Sequence, residues 1–211
     1  MDLYLIHWPI TLPHSTELGG EGYGKENRKV HASGWDFRNT WTEMERLLST
    51  GKVKAIGVGN LSTVNLEKLL KTAKVIPGVN QTEIQPLLSQ RKLNEYCKER
   101  GIHQTAFGPL GGSGSSLHEN TTILEIAKRR GVTTGNAMLS WGVQEGWSVI
   151  PKSTNRKRIG ENLKNNLFLD EEELKAMNRL TIPKGKRFNR PDWGTVVFHD
   201  DDDDGDDESI E

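Results

Sequence analysis

The sequence predicts a parallel α/β fold, and two observations carry that prediction. Five short apolar runs alternate with segments of helical period, so strand, helix, strand recurs at the spacing of consecutive βαβ units. The residues with chemistry to offer, His7, Asn60, Gln81, Phe107 and Lys152, stand at the C-terminal ends of those runs, where the loops of parallel sheets gather ligands. An eight-stranded (β/α) barrel places its functional residues in the same way, but five strands cannot close such a barrel.

Residues 2–8 form a near-continuous apolar run stopped by Pro9, the pattern of a strand covered on both faces. Residues 9–36 make a long connection containing Gly19, Gly20, Gly22 and Gly24; a loop of that length is expected to be a functional lid or disordered. A helix is expected at about residues 38–50, with Trp41, Met44, Leu47 and Leu48 on one face and Gly51 past its end. Residues 53–58 are the second strand. Gly59, Asn60 and Leu61 turn the chain, and Ser62 is placed to cap a helix running to about Ala73. Residues 78–84 are the third strand, Ser89 opens a helix reaching Gly101, and residues 104–107 are the fourth strand. That strand runs into a glycine-rich stretch, residues 108–116, which reads as a flexible loop. Helices at about 121–130 and 134–145, separated by Gly131, precede a fifth strand at 148–150. A helix to about Lys164 follows, and Asp170 with Glu173 forms a capping-box start for a last helix through about Leu180.

Composition narrows the class. With 34% hydrophobic and 27% charged residues, the 211-residue chain has globular values and enough length for one sizeable core. No apolar run approaches the roughly 18 residues of a membrane span, and Met1 leads into the first strand without the basic region and cleavage site of a signal peptide. No membrane association is expected. The lone Cys97 excludes an internal disulfide and a cysteine-based metal cage, reads as a small core residue, and makes a reducing, cytoplasmic setting the expectation. His14, His31, His103, His118 and His199 show no ligand spacing, so no metal is expected. Nine of the 29 acidic residues lie in 200–211, which leaves 20 acids against 28 cations in the rest. The body therefore suits an anionic ligand, while residues 200–211 read as an acidic, disordered, self-repelling tail. The basic run at 184–190 lacks a recognised reader fold, and no nucleic acid is expected.

One stretch has the makings of a phosphate seat. The short strand at 148–150 leads through Pro151 into Lys152, Ser153 and Thr154, with Arg158 six residues after Lys152 on the following helix. Free backbone N–H groups at a helix start carry partial positive charge, and two cations beside them can hold a phosphomonoester. From charge alone, a solvated basic helix face stands as an equal reading.

Several motifs, in order and at matching spacing, resemble the aldo-keto reductases. They are Asp-Leu-Tyr-Leu-Ile-His-Trp-Pro at 2–9, Gly-Lys-Val-Lys-Ala-Ile-Gly-Val-Gly-Asn at 51–60, Val-Asn-Gln at 79–81, Thr-Ala-Phe-Gly-Pro-Leu-Gly at 105–111 and Ile-Pro-Lys-Ser at 150–153. The resemblance runs from Asp2 to about Phe198, and residues 187–194 are similar to the C-terminal loop of fungal members. It implies a (β/α)8 TIM barrel of which this chain holds about strands 4 to 8, with residues 1–199 a partial barrel and 200–211 a tail.

The family resemblance also implies a function, NADPH-dependent reduction of aldehydes or ketones, with NADP(H) as cofactor and a small carbonyl compound as substrate. By it, His7 is the active-site histidine that orients the carbonyl and Trp8 lines the substrate pocket. Asn60 and Gln81 hold the nicotinamide carboxamide, for which an amide side chain supplies donor and acceptor. Phe107 stands in place of the usual tyrosine that stacks on the nicotinamide. Gly108, Leu110 and Gly112 meet the pyrophosphate, Lys152, Ser153, Thr154 and Arg158 hold the adenosine 2'-phosphate, and Glu161 and Asn162 reach the adenine. Two cations at the 2'-phosphate favour NADP over NAD, which has no phosphate there.

Departures from the family pattern set further expectations. Gly59 and Gly108 stand where serine is common, which removes two hydroxyl contacts to the cofactor. The proton-donating tyrosine, with its aspartate and lysine, belongs to the first three barrel units, and Tyr4, Tyr23 and Tyr96 are not placed to replace it. General acid help is typically worth about 10² to 10⁴ in rate, so these residues alone are expected to be a poor reductase. The alternative is a catalytically inactive remnant that binds a dinucleotide or a partner. Met1 sits where the family has an apolar strand residue, which favours an incomplete reading frame. Family members are usually monomeric, whereas the open first and last strands here leave the segment free to self-associate.

Overall fold

The computed structural model describes residues 1–11, 36–112, 115–164, 167–181, 185–191 and 195–199. The expected lid or disordered loop at 9–36 lies mostly outside the described residues, as do Tyr23 and the tail at 200–211. Five strands appear in sequence and sheet order, β1 (Leu3–Ile6), β2 (Ala55–Gly59), β3 (Val79–Glu83), β4 (His103–Phe107) and β5 (Ser148–Ile150). Helices follow them: α1 (Phe37–Ser49), α2 (Thr63–Leu70), α3 (Arg91–Glu99), α4 (Thr121–Arg130), α5 (Thr134–Gln144), α6 (Arg156–Lys164) and α7 (Glu171–Asn178). The chain divides into two compact units: one of residues 95–103 and the described parts of 1–80 and 190–200, the other of 81–94 and the described part of 104–189.

In the first unit β1 and β2 are parallel, with Leu3 opposite Ala55 and Leu5 opposite Gly57. The join between them includes α1, capped by Asp36, whose carboxylate accepts from the Arg38 N–H at 2.8 Å. Trp41 and Met44 are the buried side chains of α1. Gly57 is fixed by crowding: a Cβ there would lie 2.6 Å from the Val79 carbonyl oxygen and 2.7 Å from Leu5 Cδ2. Because one of those neighbours is backbone, Gly57→Ala is expected to cost about 1–3 kcal/mol, read as a lower urea midpoint with an unchanged slope. Ser62 caps α2 by accepting from the Asn65 N–H. That helix ends at Leu70, short of the expected Ala73, and Glu45 of α1 accepts from the next free N–H groups, those of Lys74 and Val75, at 2.7 and 2.9 Å.

The second unit has β4 parallel to β5, from Thr105 opposite Ser148 to Phe107 opposite Ile150. Its core joins Ile84 and Ala106 to Ile123, Ile126, Met138, Trp141, Trp147 and Met177. The Trp141 and Trp147 rings meet edge-on at 5.0 Å, and the Trp141 N–H donates to Asn178. Ser89 does not open α3. Gln90 intervenes with φ of 48°, its side-chain amide donating to the Glu83 carbonyl, and the helix begins at Arg91. The capping box at α7 forms as the sequence predicts: Asp170 accepts from the Glu173 N–H, and Glu173 accepts from the Asp170 N–H. Glu173 is buried, and Arg130 reaches it from α4 through Nε and Nη2. At the end of the glycine-rich stretch, Ser116–Glu119 form one 3-10 turn that sequence periodicity does not reveal.

Candidate functional site

The first unit brings together His7, Trp8 and Asn60. His7 follows β1 directly, exposed, with its ring tilted against Trp8 at 5.7 Å, and Trp8 meets Phe198 edge-on at 5.8 Å. Asn60 follows β2 in the left-handed region, φ 58°, which asparagine tolerates better than most residues. Its Nδ2 donates to the His7 carbonyl at 3.0 Å. Its Oδ1 is buried and has no hydrogen-bond partner among the described residues. A buried amide oxygen without a donor costs free energy, so this carbonyl fits a ligand that brings an N–H, as a carboxamide does.

In the second unit Gln81 lies half-buried in β3, and Phe107, also half-buried, ends β4. Gly108 and Gly111 then take φ of 59° and 79°, and the Gly111 N–H donates to the Gly108 carbonyl, which turns the chain sharply. A Cβ on Gly111 would run into the Ser115 side chain, so the turn demands glycine in shape as well as in φ. Gly112 is exposed, and a Cβ there would lie 3.1 Å from Phe188 Cβ.

The seat at the end of β5 is built from its own sequence. Ser153 Oγ accepts from the Asn155 N–H at 3.1 Å, and Asn155 Oδ1 in turn accepts from the Arg158 N–H at 3.1 Å. Asn155 therefore caps α6, a role the sequence reading did not give it. Lys152, Ser153, Arg158, Glu161 and Asn162 line one cavity of about 250 Å³ together with Leu110. Thr154 is exposed and does not line it. Glu161 faces Lys157 at 3.7 Å. Among the described residues, neither Lys152 nor Arg158 has a carboxylate within ion-pair distance, so both charges remain available to an anion.

Four residues that sequence reasoning missed complete the lining: His118, Thr133, Thr134 and Gly135. His118 stands on the 3-10 turn with Nδ1 2.8 Å from Thr134 Oγ1, and Thr133 caps α5. Asn136 is buried; it accepts from Thr133 Oγ1 and donates to the Glu161 carbonyl at 3.0 Å, tying α5 to α6. The threonine pair at the start of α5 was the one available signal, since a helix cap opens its first N–H groups to a ligand.

A sequence model described as the Aldo/keto reductase family matches residues 1–182. The chain is 41% identical over 202 residues to glycerol 2-dehydrogenase (NADP(+)) of Saccharomyces cerevisiae, covering 92% of this chain and 64% of that protein. It is 39% identical over 202 residues to D-galacturonate reductase of Hypocrea jecorina, with the same two coverages of 92% and 64%. An aldo-keto reductase structure from the silkworm, Bombyx mori, superposes with a TM-score of 0.76 at 30% identity over 90% of this chain and 56% of that one. The chain thus spans about 64% of the length of the yeast relative. Parallel strands, residues with ligand chemistry at their C-terminal ends and a family match over most of its length place this chain in the aldo-keto reductase family, whose fold is the (β/α)8 barrel.

Proposed function

We propose that this chain is the NADP(H)-binding part of an enzyme that reduces aldehydes or ketones to alcohols. The observation that carries this reading is the cavity in which Lys152, Ser153 and Arg158 meet Glu161 and Asn162. Two unpaired cations beside a hydroxyl, at a helix start, suit the 2'-phosphate that separates NADP from NAD. The buried oxygen of Asn60, unpartnered among the described residues, supports the same reading in the first unit. In the second unit Gln81 would offer an amide and Phe107 an aromatic face to the nicotinamide. Gly108, Leu110 and Gly112 would meet the pyrophosphate, and Thr154 would add a hydroxyl near the 2'-phosphate. When bound, the cofactor supplies a hydride. The chain's own residues bind and orient: His7 would direct the carbonyl oxygen, and Trp8 would shape the substrate pocket.

Relatives with names such as D-galacturonate reductase and glycerol 2-dehydrogenase support an enzyme, and the alternative of an inactive binding remnant is not favoured. Residues 1–199 as a partial barrel with 200–211 as an acidic tail belong to this proposal, as does a cytoplasmic setting. Among the described residues no helix is long and apolar enough to cross a membrane, and no cluster of metal-ligating side chains occurs. The exposed apolar residues Leu3 and Tyr4 of β1 and Ile150 of β5 leave this segment free to self-associate when it stands alone.

The test is calorimetric titration of the chain with adenosine 2',5'-bisphosphate and with ADP. Tighter binding of the 2'-phosphorylated compound, by roughly 10-fold or more for a charge-assisted contact, is expected; equal affinities would overturn the NADP assignment.

A further inference from the structure

We propose that Glu83 is a positioning residue for the glycine-rich loop after β4: its carboxylate pins a strap formed by residues 185–189, and the strap backs Gly112, so that a dinucleotide meets a loop already in place. The inference rests on the reading of Gly108, Leu110 and Gly112 at the pyrophosphate and goes beyond it, to a residue that acts through another segment.

Three observations in the second unit converge. First, Glu83 is buried at the end of β3, and each carboxylate oxygen takes one backbone amide: Oε1 accepts from the Phe188 N–H at 2.7 Å and Oε2 from the Asn189 N–H at 2.8 Å. A buried carboxylate is costly unless such bonds are made, so the strap and the charge hold each other. Second, the strap is fixed along its length. The Lys186 N–H donates to the Leu87 carbonyl at 3.0 Å, and the Lys186 carbonyl accepts from Gln85 Nε2 at 2.6 Å. Gly185, at φ 55°, passes so close to Leu88 that a Cβ would lie 2.5 Å from its Cδ1. Third, the strap meets the loop. Phe188 packs against the core of this unit, and a Cβ on Gly112 would lie 3.1 Å from Phe188 Cβ, which sets the Gly112 backbone against that side chain. At the other end of the turn, a Cβ on Gly108 would lie 3.8 Å from Glu83 Cγ. Glu83 and the residue it clamps thus face both ends of the Gly108–Gly112 turn.

The composition of the loop explains why it needs support. Three of its five residues are glycine, and Gly108 and Gly111 take positive φ, so the chain there has wide conformational freedom. A loop that spends part of its time elsewhere lowers the apparent affinity of its ligand by the fraction in the competent state. A backstop held by a buried carboxylate raises that fraction before the ligand arrives.

The experiment compares NADP+, which carries the pyrophosphate, with adenosine 2'-monophosphate, which has the 2'-phosphate alone. Glu83→Gln keeps the shape of the side chain but removes its charge and turns one acceptor into a donor facing an N–H. It should weaken NADP+ by about 10-fold, the size of one charge-assisted hydrogen bond, and leave adenosine 2'-monophosphate within about 2-fold. In the unliganded chain, amide hydrogen exchange should quicken at Gly111 as well as at Phe188 and Asn189, and stay unchanged at Arg158, whose N–H is bonded to Asn155. Gly112→Ala presses on the same contact from the loop side and should quicken exchange at Phe188 and Asn189, which carries the test should Glu83→Gln fail to fold. If Glu83→Gln lowers both affinities alike or neither, or if exchange does not pass between loop and strap in these variants, Glu83 holds the strap only; the positioning role is then wrong and the cofactor reading stands. A wild-type chain that binds neither ligand overturns the cofactor reading and the role of Glu83 together.

Discussion

Replacing Lys152 and Arg158 together by alanine is expected to weaken NADPH binding on the order of 100-fold while changing NADH by less than about 3-fold. Each cation that meets a phosphate through a charge-assisted bond is worth about 1.5–3 kcal/mol when the contact is shielded. Both side chains stand at an open cavity, so the lower end of that range applies to each. NADH has no 2'-phosphate, hence nothing for the two charges to hold. Quenching of tryptophan fluorescence on titration with each nucleotide reads the two affinities directly. Equal losses for both would show that the cations serve the pyrophosphate or the fold. The selectivity should also shrink as salt rises, because exposed charges are screened within about 10 Å at 0.1 M ionic strength.

The second large effect is expected at Glu173. Its carboxylate is buried, accepts from Arg130 Nε and Nη2 and from the Asp170 N–H, and so joins α4 to the start of α7. Glu173→Ala strands Arg130 Nε and the Asp170 N–H, while Arg130 Nη2 keeps its bond to Asp170 Oδ2 at 2.8 Å, and should cost roughly 2–3 kcal/mol, less than a fully buried pair because one third of the Arg130 side chain remains exposed and can rehydrate. The hydrogen bond from Arg130 holds the Glu173 carboxyl below the usual range, against the opposite push of burial. Its folded pKa therefore lies below the unfolded value of about 4.3. The resulting stability is fully present above that value and is lost as pH falls through the lower folded pKa. Urea unfolding between pH 7 and pH 3 checks this: Glu173→Gln should flatten the acid limb of the stability profile, and an unchanged limb would remove Glu173 from its causes.

What could be read from the sequence divides by range of interaction. The capping box of Asp170 and Glu173, and α4 between Asn120 and Gly131, are local side-chain and backbone agreements, and they stand where the pattern puts them. The ends that shifted were decided by distant partners. Glu45 takes the N–H groups past α2, and the Glu83 carbonyl fixes Gln90 ahead of α3, with no trace in local periodicity. The site divides in the same way. Lys152 to Asn162 lie in one stretch around a helix start, so their charge and spacing were legible together. His118 reaches the same cavity through a contact with Thr134, 16 residues on, and a lone histidine in a loop carries no pattern that would announce it.

Asn60 shows how narrow the choice of residue at one position can be. The backbone there favours glycine, asparagine or aspartate, because φ is 58°. The His7 carbonyl needs a donor, which rules out aspartate in its ionised form, and glycine offers none. Glutamine carries the same amide one methylene further from the backbone, and asparagine is the more common of the two at such a φ. Conformation and hydrogen bonding together thus favour asparagine at this position. The ends of β1 and β2 are joined through it, so a carbonyl compound oriented by His7 and an amide held by Asn60 would share one alignment.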